Sequence, residues 1–109
     1  MRTIIAVLGL VIISWATQAA ASSVVINQNN KKFEPKTVNI KVGDTLVFKN
    51  TEKRKRRHNV YTKAAAFKYV KIKTQNRGES NEIKITNAGT FEVLCAFHPK
   101  MKMTVNVTK

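Results

Sequence analysis

Beyond its first twenty-one residues, this chain carries no apolar pattern with the period and length of a substantial helix; its hydrophobic residues come in short alternating runs broken by turn signals. Thr37 to Val42 sets Val38, Ile40 and Val42 on one face and Asn39 and Lys41 on the other. Gly43-Asp44 then turns the chain into a further strand over Thr45 to Lys49. Val24 to Gln28, His58 to Tyr61, Tyr69 to Lys73, Glu82 to Thr86, Thr90 to Leu94 and Met103 to Val107 read as the remaining strands. Ala64 to Phe67 reads as one helical turn. Many short strands with regular turns predict an all-β domain, an antiparallel sandwich or barrel.

The first residues stand apart. Arg2 supplies a positive start, Ile4 to Trp15 is an uncharged apolar run, and Ala19-Ala20-Ala21 precedes Ser22. That order is the pattern of a secretory signal peptide, and the apolar run is short for a membrane span, which needs roughly 20 such residues. The reading is a signal peptide over 1–21, a single domain over 22–109, export to the periplasm, and no integral membrane segment after cleavage. The exported part keeps all but one of the 20 basic residues and all 6 acidic ones. Such a balance favours anionic partners, and export argues against nucleic acid as the physiological one.

An exported chain usually pairs its cysteines or avoids them, yet this one has a single Cys, Cys95. The run Cys95-Ala96-Phe97-His98-Pro99-Lys100-Met101 offers a thiolate, an imidazole and a thioether between two predicted strands. One other histidine exists, His58, which opens its own strand after an exposed loop. A thiolate, two imidazoles and a weak axial thioether suit copper in a trigonal electron-transfer site. Taken singly, His98 fits a surface residue, His58 a solvated loop and Met101 a core side chain. Taken together, those readings require the only Cys, both His and a well-spaced Met to be arranged by accident.

On these residues the chain resembles the plastocyanin/amicyanin branch of the cupredoxins. Phe33-Glu34-Pro35, Val38-Asn39-Ile40, Gly43-Asp44 and Val47-Phe48-Lys49-Asn50 are similar to that family's opening strands, and His58-Asn59-Val60 to its first copper histidine. Gly89-Thr90-Phe91 leads to Cys95, and Cys95-x-x-His98-Pro99-x-Met101 resembles the short ligand loop of the amicyanins. The resemblance implies a Greek-key β-sandwich with one type 1 copper held by His58, Cys95, His98 and Met101. It also implies that the Asn59 amide donates to the Cys95 sulfur and that Asn50 ties neighbouring loops. The His98 edge is expected to reach the surface through an apolar patch that includes Phe97 and Pro99. Two departures stand out. Met103 occupies a position that is usually Gly, making it the alternative axial ligand, although the register of Val105 and Val107 favours Met101. The run Lys53-Arg54-Lys55-Arg56-Arg57 replaces a less charged loop.

The function these readings imply is a small soluble electron carrier, not an enzyme, since four protein ligands leave no open metal position. Its expected partner is an acidic redox protein, a cytochrome or a dehydrogenase or reductase, met by a monomer through Lys53, Arg54, Lys55, Arg56, Arg57, Pro99 and Lys100, with Lys102 on the rim. Two other classes compete. A copper chaperone or store would use Met101 and Met103 as soft Cu(I) ligands. A cationic surface-binding protein would carry its metal only as structure.

Overall fold

The structure, a computed structural model, describes residues 20–109. The predicted signal peptide therefore lies, but for Ala20 and Ala21, outside the described residues. Nine strands follow: β1 (Ser23–Asn29), β2 (Lys32–Glu34), β3 (Thr37–Lys41), β4 (Thr45–Asn50), β5 (His58–Val60), β6 (Ile72–Gln75), β7 (Ser80–Lys84), β8 (Gly89–Leu94) and β9 (Lys102–Thr108). The predicted helical turn is a short 3-10 turn over Ala65–Phe67. No helix among the described residues is long and apolar enough to cross a membrane.

Three sheets organise the strands: one ordered β2-β1-β4-β7, one ordered β3-β9-β8, and the pair β5-β6. The all-β reading holds, but the sheets are mixed where alternation suggested antiparallel pairing alone. β1 runs parallel to β4, and β3 parallel to β9. The alternation of side chains is the same in either direction, so period says which face is buried and nothing about the neighbour's direction.

Alternation does place the core. Ile26, Val38, Ile40, Leu46, Phe48, Phe91, Val93, Val105 and Val107 are all buried, drawn from both larger sheets. Val42 departs from its predicted face: it lies one residue past the end of β3 and is 40% exposed. The strand predicted over 69–73 begins later, at Ile72, because Val70 closes the 3-10 turn by donating to the Phe67 carbonyl at 2.8 Å. Phe67 stacks on Phe91 with ring centroids 4.1 Å apart, a pairing worth about 0.5–1.5 kcal/mol beyond the area it buries. Gly89 makes room for it. Its φ is +142°, and a Cβ there would come within 3.2 Å of the Phe67 ring.

The hairpin between β1 and β2 has a two-residue loop, Asn30-Lys31, with φ of 51° and 57°. Positive φ at both positions matches the twist of the flanking strands, but lysine is an unusual occupant of that region. The amides of both residues donate to one carboxylate, that of Glu52, at 2.8 and 3.0 Å. The turn is thus held by a side chain from the loop after β4, and that loop leads directly to His58.

Candidate metal centre

The predicted donors converge at one end of the fold. His58 opens β5, Cys95 follows the last residue of β8, and His98 and Met101 lie in the short loop before β9. A bridge between Tyr61 and Leu94, with amide–carbonyl distances of 3.1 and 2.8 Å, locks the end of β5 to the end of β8. That bridge brings His58 beside Cys95 across a wide gap in sequence. The loop is closed on itself: the His98 amide donates to the Cys95 carbonyl at 3.3 Å, Met101 to His98 at 2.9 Å, and Cys95 to Met101 at 3.3 Å. From outside, the Ala96 amide donates to Asn59 Oδ1 at 2.7 Å.

The Cys95 sulfur sits 3.8 Å from His58 Nδ1 and 3.7 Å from His98 Nδ1, and the three donor atoms lie within 4.8 Å of one another. A triangle of that size places its centre roughly 2 Å from each corner, the length of metal–nitrogen and metal–sulfur bonds. A soft thiolate with two imidazoles fits copper. His58 and Cys95 are buried and His98 is half-buried. Ala96, Phe97, Pro99 and Lys100 around His98 are exposed, Phe97 at 41%.

The two methionines occupy different settings. Met103 lies within β9 directly opposite Val93, in the same buried row as Val105 and Val107. Met101 precedes the strand, is buried, and belongs to the loop that carries Cys95 and His98.

Burial by itself pushes the Cys95 thiol up, but its contact with the His58 ring and the amides of Asn59 and Phe97 outweigh that and bring it below its ordinary range. Asn50 bonds to neighbouring segments. Its Nδ2 donates to the carbonyls of Arg56 at 2.7 Å and Gln75 at 3.1 Å, and its Oδ1 accepts from the Glu52 amide at 3.2 Å.

Sequence reasoning missed Glu52. Its Oε2 lies 2.8 Å from His58 Nε2, both side chains sealed from solvent, so the face of His58 remote from Cys95 is held by a carboxylate. Desolvation opposes the charge of Glu52, yet the Lys31 amide, His58 and the Asn30 amide prevail and its carboxyl titrates below the ordinary range. His58 is displaced upward, with Cys95 and Glu52 overcoming burial. His98 is displaced downward by burial first and by the positive charge of His58 second. The available signal was one acid placed immediately before a run of five bases.

The basic loop stands next to this end of the fold. The Arg57 guanidinium lies 5.2 Å above the Phe97 ring, which links the loop to the ligand segment. Lys100 and Lys102 line a depression with Lys36 and Glu92.

The sequence pattern of the cupredoxin-like domain matches residues 2–107. Amicyanin from Paracoccus denitrificans is 29% identical over 94 residues, covering 84% of this chain and 70% of its own length. A reduced single-site mutant of amicyanin superposes with a TM-score of 0.69 at 26% identity, covering 79% of this chain and 82% of that one. Two structures share the fold at lower identity. A purple cupredoxin from Nitrosopumilus maritimus has a TM-score of 0.68 at 21% identity, over 78% of this chain and 99% of that one. A copper-containing nitrite reductase from Thermus scotoductus has a TM-score of 0.74 at 24% identity over 80% of this chain, which spans only 22% of its length.

Proposed function

This chain belongs to the cupredoxin-like family, with one copper ion as its cofactor, and we propose that it is an exported electron carrier whose copper is held by His58, Cys95, His98 and Met101. The observation that carries the reading is the preformed triangle of Cys95 and two histidines, drawn from two strand ends and one closed loop. Copper supplies a one-electron couple, Cu(I)/Cu(II). The chain's contribution is to hold the donors still: the Tyr61–Leu94 bridge and the three bonds within the 95–101 loop resist the movement a change of copper charge would otherwise drive. Glu52 fixes the ring of His58, and the Asn59 amide moderates the charge on the sulfur.

Met101 would supply the fourth, weak thioether donor. Its position in the loop supports this, as does the packing of Met103 against Val93 in the sheet. A core role for Met103 also weakens the chaperone or store reading, which needs both thioethers. Four protein donors leave no place for a substrate, so the chain is read as a carrier rather than an enzyme. The half-buried His98 is the electron's way out, bordered by exposed Phe97 and Pro99.

The remaining expectations are part of the proposal. Residues 1–21 direct export to the periplasm and 22–109 form the mature domain, a monomer. Its partner is an acidic redox protein that meets Lys53, Arg54, Lys55, Arg56 and Arg57. The link from Arg57 to Phe97 supports placing that loop on the approach to His98.

The deciding experiment is Cu(II) titration of the purified protein followed by visible and EPR spectra. One equivalent should produce an intense thiolate-to-copper band, which Cys95→Ser abolishes. A colourless complex, or a band that survives Cys95→Ser, would overturn the reading.

A further inference from the structure

The five bases of the loop are not a uniformly solvated run. Lys55, Arg56 and Arg57 line a cleft of about 430 Å³ whose opposite wall is Asn76 and Arg77, from the turn between β6 and β7. All three guanidinium groups are anchored. Arg57 lies over Phe97 at 5.2 Å, Arg77 Nη1 donates to the Lys53 carbonyl at 3.0 Å, and Arg56 Nη1 pairs with Glu52 at 3.3 Å. Arginine holds oxyanions through a planar fork of donors, and anchoring lowers the entropy lost when it does so. The nearby acids are committed elsewhere. Glu52 is buried against the Asn30 and Lys31 amides and His58, and Glu79 accepts from the backbone and side-chain nitrogens of Asn76. Four cations thus surround one open cleft with, among the described residues, no free carboxylate facing them.

We propose that this cleft binds a multivalent oxyanion of the phosphate class, and that its occupancy is transmitted to the metal centre through Arg56, Glu52 and His58. The transmission rests on the copper reading given above; the binding does not. An anion that recruits the Arg56 guanidinium loosens its hold on Glu52. The carboxylate then bears more fully on the His58 ring, 2.8 Å away, and favours the more positive, oxidised copper. By linkage, the oxidised protein binds the anion more tightly than the reduced protein, by the factor that sets the potential shift. The same anion competes with an acidic partner for the loop.

The probe is inorganic pyrophosphate, added to the copper-loaded full chain at an ionic strength held constant with sodium chloride. Calorimetry should show saturable binding of one pyrophosphate, at least tenfold weaker in Arg77→Gln, and at least tenfold weaker for glutarate than for pyrophosphate. No saturable heat, equal binding by Arg77→Gln, or equal affinity for glutarate overturns the site. Voltammetry should show a fall in reduction potential that saturates with the same midpoint. Lys55→Gln and Arg56→Gln each remove one charge of the cleft, so the two are compared at saturating pyrophosphate. Lys55→Gln should keep the shift and Arg56→Gln should lose most of it; equal shifts in the two overturn the transmission. Arg77→Gln, whose side chain bonds to the Lys53 carbonyl and to none of the donor residues, should keep the anion-free potential and lose the response, which leaves the proposal testable even if Arg56→Gln fails to fold. Failure of the copper reading has a separate signature, the absence of any redox wave while the calorimetric result stands.

Discussion

Glu52 and His58 meet through Oε2 and Nε2 at 2.8 Å, with neither side chain open to solvent. The same carboxylate also caps the Asn30-Lys31 turn, so one side chain joins a β-hairpin, a basic loop and a metal donor. Glu52→Gln keeps the shape and removes the charge. Copper affinity should fall on the order of 10–100-fold, as for other partners of metal-bound histidines. The reduction potential should rise, because a negative charge that favours Cu(II) is gone. Competitive chelator titration and voltammetry read the two effects, and an unchanged potential would show that Glu52 only holds the hairpin.

The two methionines should separate cleanly by substitution. Met101→Leu should alter the visible spectrum and raise the potential. Met103→Leu should leave both alone and cost less than about 1.5 kcal/mol of unfolding free energy, as a volume-conserving core change. Spectra and denaturant unfolding of both variants make the check. The opposite assignment of effects would move the axial ligand to the strand.

Apart from the Arg56–Glu52 contact, the basic loop should govern association. Neutralising Arg54, Arg56 and Arg57 together should slow bimolecular electron transfer with an acidic partner at low salt. The difference should shrink as the Debye length falls from roughly 30 Å at 0.01 M to about 10 Å at 0.1 M. Stopped-flow rates across that range test this. A triple variant as fast as the parent at every salt concentration would place the docking surface elsewhere.

Asp44 predicts the acid response away from the metal. Its carboxylate accepts the Lys41 amide at 2.9 Å and the Ser22 amide at 2.8 Å, bonds that hold its carboxyl below the ordinary value of 3.8. A group lowered on folding stabilises the fold above its unfolded value and loses that contribution as pH falls through the folded one. Asp44→Asn should therefore be less stable than the parent at pH 7, and the gap should close on acidification below about 3.8. Denaturant unfolding at pH 7 and at acid pH measures it; a gap independent of pH would assign the effect to shape rather than charge.

Local pattern was enough for much of this molecule. The rows Val38/Ile40 and Val105/Val107 are buried as their alternation says, since a strand's two faces follow from geometry alone. Cys95, His98 and Met101 share one short loop, and His58 was the only remaining histidine, so donor chemistry could be read from residue identity and count. Tertiary structure decided which distant segments meet. The parallel pairing of β1 with β4 and of β3 with β9 leaves no trace in periodicity. The Tyr61–Leu94 bridge that sets His58 against Cys95 is a backbone contact available to any residue type. Glu52 beneath His58, and Arg77 across the cleft from Arg56 and Arg57, are charges whose sign is written in the sequence and whose neighbours are not. Burial and period are properties of one segment, whereas a hydrogen bond or a charge cluster belongs to two or more, and only the folded chain brings those together.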